Sequence, residues 1–181
     1  MPRLAPVNTQ DAPAATADLL ANVKKKMGAV PNIIATMAQS PAVAQAYLAF
    51  SQALSAGSLP ARLREQIALT VGESNRCAYC VSAHTALGKM AGLSEQETCD
   101  ARRATASTDS ETQALRFAQQ IVTDRGLVAD EDVERLRQAG YNDGAIAEIV
   151  ANVALNLFTN YFNHVAGTEV DFPAVPELAA N

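Results

Sequence analysis

The chain has 181 residues, a formal net charge of −5 and three cysteines, and 49% of its residues are hydrophobic. This length and composition are typical of one globular domain with a single core, and they exclude disordered and fibrous proteins. The acidic balance gives no reason to expect a nucleic-acid partner. The start of the chain lacks the apolar core of a signal peptide, and no apolar run approaches the roughly 20 residues that span a bilayer. We therefore expect a soluble, cytoplasmic protein with no membrane partner.

Helix signals follow one another along the whole chain, and no segment shows the alternation that is typical of a strand. Prolines and glycines mark most of the boundaries, and Ser94 with Glu97 forms the pattern of a capping box. The sequence predicts helices over 14–27, 42–56, 61–73, 77–91, 110–125, 130–139 and 142–166, with shorter helical pieces over 31–39 and after Ser94. The predicted fold class is therefore all-α, a helical bundle formed by one domain over residues 1–181.

The most informative stretch contains a CxxCxxxH motif at Cys77, Cys80 and His84. Steps of three and four residues put all three side chains on one face of a helix. Ser74 and Asn75 are residue types that favour the N-cap position, so we expect the helix to begin near Cys77. The cysteines would then lie in its first turn.

A thiol in the first turn feels the positive end of the helix dipole, which favours the thiolate. Arg76 adds a positive charge nearby. His84 lies one turn beyond Cys80 and can accept its proton, whereas Cys77 has no such base. This pattern predicts that Cys80 attacks a substrate and that Cys77 resolves the product by forming a disulfide.

A zinc site is the competing interpretation of the same residues. Cys77, Cys80 and His84 are all zinc ligand types, but a structural site takes four ligands and the chain has no second such motif. Glu65, a water or another subunit would have to complete it. Val81 after the second cysteine excludes covalent haem, and no strand precedes the motif as a thioredoxin fold requires. On composition alone, Glu65 is simply a favourable residue at a helix N-terminus.

These motifs resemble those of the alkylhydroperoxidase D-like proteins of the carboxymuconolactone decarboxylase superfamily. The similarity rests on a Glu twelve residues before the first cysteine, on CxxCxxxH with its HTALGKMAGLS continuation, and on NYFNHVAGTEVDFP, within 65–97 and 152–173. The resemblance is to the peroxidase-related branch. It implies that Cys80 is the peroxidatic cysteine, that Cys77 is the resolving one, and that His84 and Glu65 relay protons. No metal or organic cofactor is implied.

The resemblance also implies partners and one departure. The substrate would be hydrogen peroxide or an organic hydroperoxide, and an external dithiol, thioredoxin-like or lipoyl-type, would reduce the disulfide. Proteins of this kind commonly form homo-oligomers, as trimers or hexamers. Some members have a second histidine between the two cysteines, where this chain has Tyr79. A relay through that histidine cannot operate here, and Tyr79 is expected to pack or to shape the pocket.

The last predicted helix carries a polar stripe at four-residue steps, formed by Asn152, Asn156, Asn160 and His164, with Asn163 beside it. No Lys, Arg, Asp or Glu occurs between residues 149 and 168, which is unusual for a face in water. We therefore expect the asparagines to be buried against a partner helix or subunit. The remaining cysteine, Cys99, is expected to be an incidental thiol.

Two other functions remain open at the level of sequence. One is a lyase of the carboxymuconolactone decarboxylase type, although that chemistry needs no pair of cysteines at the start of a helix. The other is a non-enzymatic module that binds zinc or senses redox state. It would require a bound metal, or a disulfide that forms without turnover.

Overall fold

The computed structural model describes residues 1–178, and every regular element in that range is an α-helix. The helices are α1 Ala14–Met27, α2 Asn32–Met37, α3 Pro41–Ser55, α4 Ala61–Ser74, α5 Ala78–Met90, α6 Glu95–Arg102, α7 Asp109–Thr123, α8 Asp130–Gln138 and α9 Asp143–Ala166. The prediction of an all-α fold is confirmed. Each predicted boundary lies within two residues of the observed one.

The boundaries are accurate because local chemistry sets them. Gly28 and Gly167 end α1 and α9 in the left-handed conformation, at φ values of 82° and 62°, which glycine adopts without steric cost. The predicted capping box is present at the start of α6: the Ser94 hydroxyl accepts from the Glu97 backbone N–H, and the Ser94 N–H donates to the Glu97 carboxylate.

Helix α4 lies at the centre of the fold. It packs against α5, α6, α7 and α9, and it is buried without interruption from Gln66 to Gly72. A helix that is apolar on nearly all sides is stable only inside a protein, which explains why Ile67, Leu69 and Val71 have no exposed surface.

Helices α4 and α5 form an antiparallel pair that approaches closely at two glycines. A Cβ atom added to Gly72 on α4 would lie 3.4 Å from Cys80 Cβ. One added to Gly88 on α5 would lie 2.9 Å from Leu93 Cδ1 and 3.7 Å from Glu65 Cβ. The absence of side chains at these points brings Glu65 of α4 next to the second half of α5.

The buried apolar residues form two clusters. The larger one joins α4, α7 and α9 through residues such as Leu115 and Val153. The smaller one brings α1, α2 and α3 around both cysteines, with Leu20, Ile34 and Met37 among its members. The cysteine pair therefore lies in an apolar environment formed by the first half of the chain.

Helix α9 combines an apolar composition with buried asparagines. The sequence predicted no segment able to span a bilayer. By length and composition alone, however, the 24 residues of α9 are long and apolar enough to do so, with a mean hydropathy of 1.2 over the most apolar window. Here it packs against α3, α4, α5, α7 and α8. The asparagine side chains Asn152, Asn156, Asn160 and Asn163 are buried within this chain, which confirms the prediction for the stripe, whereas His164 is exposed.

Candidate redox site

The start of α5 differs from the sequence prediction. Ser74 is the last residue of α4 and Asn75 follows as its C-cap, so the prediction that these residues cap α5 was wrong. The connection between the helices is a tight turn in which Arg76 adopts a left-handed conformation (φ 54°), and it leaves no room for a separate capping residue. Cys77 itself is the N-cap, and its Sγ accepts from the Cys80 backbone N–H at 3.3 Å.

Cys77 and Cys80 form a disulfide across the first turn of α5. Their Cα atoms are 5.3 Å apart, within the range that a disulfide spans. The two residues are only 1% and 2% exposed, respectively. The CxxC pair at a helix N-terminus is thus confirmed as a disulfide-forming pair that is almost completely shielded from bulk water.

The Asn163 side chain on α9 is the polar group that meets the sulfur atoms. Its Nδ2 donates to Cys80 Sγ at 3.3 Å and lies 3.9 Å from Cys77 Sγ. Asn163 is 5% exposed, and its Oδ1 has no hydrogen-bond partner among residues 1–178. A buried amide donor next to a sulfur favours negative charge on that sulfur.

His84 and Glu65 are brought together by the close contact of α4 and α5. His84 Nδ1 lies 2.8 Å from Glu65 Oε2, and about a fifth of each side chain is exposed. A carboxylate at Nδ1 holds the proton there and orients the ring, so that the neutral imidazole presents Nε2 as an acceptor. The arrangement is that of a base with its orienting partner.

Cys80 and His84 line one small cavity of about 60 Å³. Asn163 and Thr159 contribute the other polar groups from α9. The rest of its wall is mostly apolar and aromatic, with Met27, Pro31, Ile33, Ile34, Tyr47, Tyr79, Ala83, Leu87 and Phe172. Cys80, His84 and the Asn163 amide group therefore line one small, mostly apolar cavity.

Tyr79 forms part of the roof of this cavity, which we call the Cys80 cavity. Its hydroxyl accepts from the Ile33 backbone N–H at 3.3 Å, and its ring packs edge-on against Phe172 at 5.7 Å. Burial, together with a hydrogen bond to Asp171, raises the pKa of Tyr79 far above its ordinary value. The raised pKa favours the protonated hydroxyl, and Tyr79 forms part of the cavity wall.

A second cavity, of about 410 Å³, is lined by Cys77, and we call it the Cys77 cavity. It is lined by Glu73, Arg76, Cys77, Ala78, Val81, Arg102, Val175, Glu177 and Leu178, and it shares no lining residue with the first. Arg102 is fixed there by Glu73 (2.7 Å) and by the Pro176 carbonyl (3.0 Å).

The other sequence candidates lie apart from these cavities. Cys99 is half-buried on α6 and takes no part in a disulfide within the described chain. Over residues 1–178, no group of three or more His, Cys, Asp and Glu side chains is arranged to hold a metal ion. Asn163 and Phe172 are among the residues of the site that the sequence analysis did not place there. The sequence signal for Asn163 was the stretch without charged residues around it, which predicted that the side chain is buried. That signal did not show which group the amide contacts.

Comparisons with known proteins agree with this geometry. The carboxymuconolactone decarboxylase family matches residues 41–120, a range that includes Glu65, both cysteines and His84. No curated protein sequence matches the chain.

Several solved structures match this chain over nearly its whole length. One is described as the alkylhydroperoxidase AhpD core of an uncharacterized peroxidase-related protein from Ralstonia eutropha JMP134. It has 25% identity and a TM-score of 0.85, and the match covers 94% of this chain and 92% of that one. A peroxidase-related protein from Silicibacter sp. TM1040 has 24% identity and a TM-score of 0.80, with 92% and 91% covered.

A third similar structure is the debrominase Bmp8, in which a Cys-to-Ala variant was solved with 2,3,4-tribromopyrrole. It has 23% identity and a TM-score of 0.79, and the match covers 93% of this chain and 91% of that one. This likeness concerns the fold. The match to the carboxymuconolactone decarboxylase family covers residues 41–120. Together with the AhpD-like structures and the helical fold around a CxxC pair, it supports the carboxymuconolactone decarboxylase/AhpD superfamily for this chain.

Proposed function

We propose that this protein is a thiol-dependent peroxidase that reduces hydrogen peroxide or organic hydroperoxides through Cys77 and Cys80. The observation that carries the proposal is the Cys80 cavity, in which a disulfide-forming cysteine shares an apolar enclosure with His84, itself held by Glu65. The peroxidase-related neighbours and the superfamily support a redox role of this kind.

The first step is attack by the Cys80 thiolate on the terminal oxygen of the hydroperoxide. His84 takes the thiol proton through Nε2 and returns it to the departing oxygen, which leaves as an alcohol or as water. The O–O bond breaks, an S–O bond forms, and Cys80 is oxidised to a sulfenic acid. Glu65 acts as a positioning residue, because it contacts His84 Nδ1 at 2.8 Å.

The second step forms the disulfide that the structure contains. The Cys77 thiol attacks the sulfenic sulfur of Cys80, the S–O bond breaks, and water leaves. The Cα distance of 5.3 Å allows this bond without movement of the helix.

The third step is reduction by an external dithiol through thiol–disulfide exchange. Over a full cycle, one hydroperoxide and one dithiol give one alcohol, one water and one oxidised dithiol. This cycle requires a reducing compartment such as the cytoplasm, and no metal or organic cofactor takes part in any step.

The test is the intact mass of the reduced protein, native and denatured, before and after one equivalent of an organic hydroperoxide. We expect the loss of two hydrogens, with no bound metal in the native spectrum. The Cys80→Ser variant should show no such loss. Thiols that peroxide leaves unchanged would overturn the proposal, and bound zinc would favour the metal-binding module.

Reductive dehalogenation is a second candidate, because aromatic side chains line the cavity beside Cys80 and one similar fold is a debrominase. In that reaction the thiolate would take bromine from carbon, His84 would protonate the carbon, and Cys77 would displace bromide to form the disulfide. The cavity of about 60 Å³ is small for a polybrominated ring, which favours a peroxide. Release of bromide from 2,3,4-tribromopyrrole by the reduced protein would decide for this candidate.

The lyase reaction for which the family is named is the remaining enzyme candidate. It needs no dithiol, so it would leave the buried disulfide unexplained. Turnover of a lactone acid by the Cys80→Ser variant would revive it.

A further inference from the structure

The Cys77 cavity has no part in the peroxide steps. It is several times larger than the Cys80 cavity, and Cys77 lines it while Cys80 does not. Its volume of about 410 Å³ lies in the range of small-molecule sites. A cavity of this size that borders only one of the two disulfide-forming residues can hold a small molecule.

We propose that the Cys77 cavity is the docking site of the reducing thiol, and that this thiol attacks Cys77 rather than Cys80. The inference rests on the proposed function only in requiring that the disulfide be reduced in each cycle. Oxidant and reductant then reach the pair through separate cavities.

The direction of attack supports this assignment. Thiol–disulfide exchange proceeds by attack on one sulfur, in line with the bond that breaks, so that the other sulfur leaves. A nucleophile that reaches Cys77 must approach from the side away from Cys80, and the Cys77 cavity borders Cys77 alone. The leaving Cys80 sulfur is met by Asn163 Nδ2 at 3.3 Å, a donor that accommodates its negative charge.

One charged group of the cavity, Arg76, favours an incoming thiolate. Glu73 is paired with Arg102 at 2.7 Å, so the remaining charges are Arg76 and Glu177. Arg76 precedes Cys77 directly, is exposed, and makes no ion pair within residues 1–178. A guanidinium that lines the cavity promotes ionisation of a thiol that enters it.

Burial indicates the kind of reductant. Cys77 is only 1% exposed, beneath a segment that includes Val175 and Glu177. A thiol on a narrow, flexible chain can enter the cavity, whereas a cysteine on the surface of a folded redox protein cannot reach this sulfur. The site therefore fits a small dithiol.

The exchange consists of two displacements at sulfur. The reductant's thiolate forms a bond to Cys77 Sγ while the Cys77–Cys80 bond breaks and its electron pair goes to Cys80 Sγ. The second thiol of the reductant, once deprotonated, attacks the reductant sulfur of the mixed disulfide and releases Cys77. The reductant leaves as a disulfide, and both cysteines are reduced.

The first test identifies the sulfur that is attacked. The full-length protein is oxidised with diamide, without peroxide, and then mixed with 2-mercaptoethanol. The reaction is quenched in acid, free thiols are alkylated, and the peptide is fragmented in the mass spectrometer. We expect the mercaptoethanol adduct on Cys77 and the alkyl group on Cys80. The reverse distribution would overturn the proposal.

The second test narrows the cavity. Ala78 is exposed and lines only the Cys77 cavity, so Ala78→Phe should slow reduction of the diamide-oxidised protein by dithiothreitol about tenfold while leaving the rate of peroxide oxidation unchanged. Met90→Phe, at an 83% exposed residue of the same helix that lines neither cavity, is the matched control and should change neither rate. An unchanged reduction rate in Ala78→Phe would overturn the docking site.

These tests separate the two proposals. The disulfide is made without peroxide, so a failure of the peroxidase reaction leaves both readouts intact. Reduction by a folded protein with an exposed CxxC as fast as by dithiothreitol would overturn the small-dithiol assignment. The adduct experiment uses the unmodified protein and does not depend on the folding of any variant.

Discussion

Cys77 and Cys80 are three residues apart and equally buried, yet their surroundings differ. Cys80 lines a small apolar cavity with His84, while Cys77 lines a larger, more polar one with Arg76. Each sulfur has one hydrogen-bond donor of its own: the Cys80 backbone N–H donates to Cys77 Sγ, and the Asn163 side-chain amide lies closer to Cys80 Sγ. The neighbours of each sulfur, rather than its burial, therefore distinguish two otherwise similar cysteines.

Exchanging each cysteine for serine tests that distinction most strongly. We expect Cys80→Ser to lose peroxide consumption completely, because the thiol beside the base is gone. Cys77→Ser should still consume one equivalent of hydroperoxide and gain one oxygen at Cys80, measured by intact mass. If Cys77→Ser is inert and Cys80→Ser reacts, the two cysteines have the opposite roles.

Removal of the base should have the next largest effect. His84→Ala is expected to slow oxidation by peroxide about 100-fold, within the usual range for a general base. Glu65→Gln, which keeps the side-chain shape, should slow it about tenfold and shift the pH–rate profile, since Glu65 acts through the histidine. Stopped-flow oxidation rates check both values. Reduction by dithiothreitol serves as the internal control, and an equal loss there would indicate a structural role.

The buried amide on α9 should contribute a smaller amount. Asn163→Leu removes the donor to Cys80 Sγ at similar volume, so we expect about a tenfold slower oxidation and less thiolate in the reduced protein, measured by ultraviolet absorbance. Asn156→Leu is the matched control, since the Asn156 amide donates only to the Asn152 carbonyl. Equal thiolate content in the two variants would contradict a role for Asn163.

Asp171, the hydrogen-bond partner of Tyr79, should influence stability more than the rate of oxidation. Asp171 Oδ2 accepts from the Asn32 backbone N–H at 2.7 Å at the start of α2, so Asp171→Ala should lower the free energy of unfolding by about 1 kcal/mol. Glu169→Ala is the control, because Glu169 meets Asn32 only through its backbone carbonyl. Urea denaturation measures both, and equal midpoints would show that the cap contributes nothing.

Tyr79→Phe should have the smallest effect on turnover. Burial, with a hydrogen bond to Asp171, raises the pKa of Tyr79, so we expect its hydroxyl to remain protonated over the pH range of the assay. We expect the oxidation rate to change less than about threefold, since no proton passes through this group. A large loss of rate together with a changed pH profile would show that Tyr79 replaces the missing histidine.

The sequence predicted the helices well because their limits depend on local signals such as Gly28, Ser94 and Gly167. It misplaced the cap of α5, since Ser74 and Asn75 are good caps only where the preceding helix has already ended. The contact between Glu65 and His84 has no local signal. It depends on the close approach at Gly72 and Gly88, and composition alone favoured a plain helix-end carboxylate.

The position of Cys77 as the N-cap of α5 has an electrochemical consequence. A free thiol or thiolate accepts the Cys80 N–H better than a disulfide sulfur does, so the cap favours the reduced protein. An N-cap contributes about 1 kcal/mol, and a difference of that size raises the reduction potential of the pair by roughly 20 mV. We therefore expect the residue that begins the helix to make the disulfide a slightly stronger oxidant, which the proposed dithiol would reduce more readily.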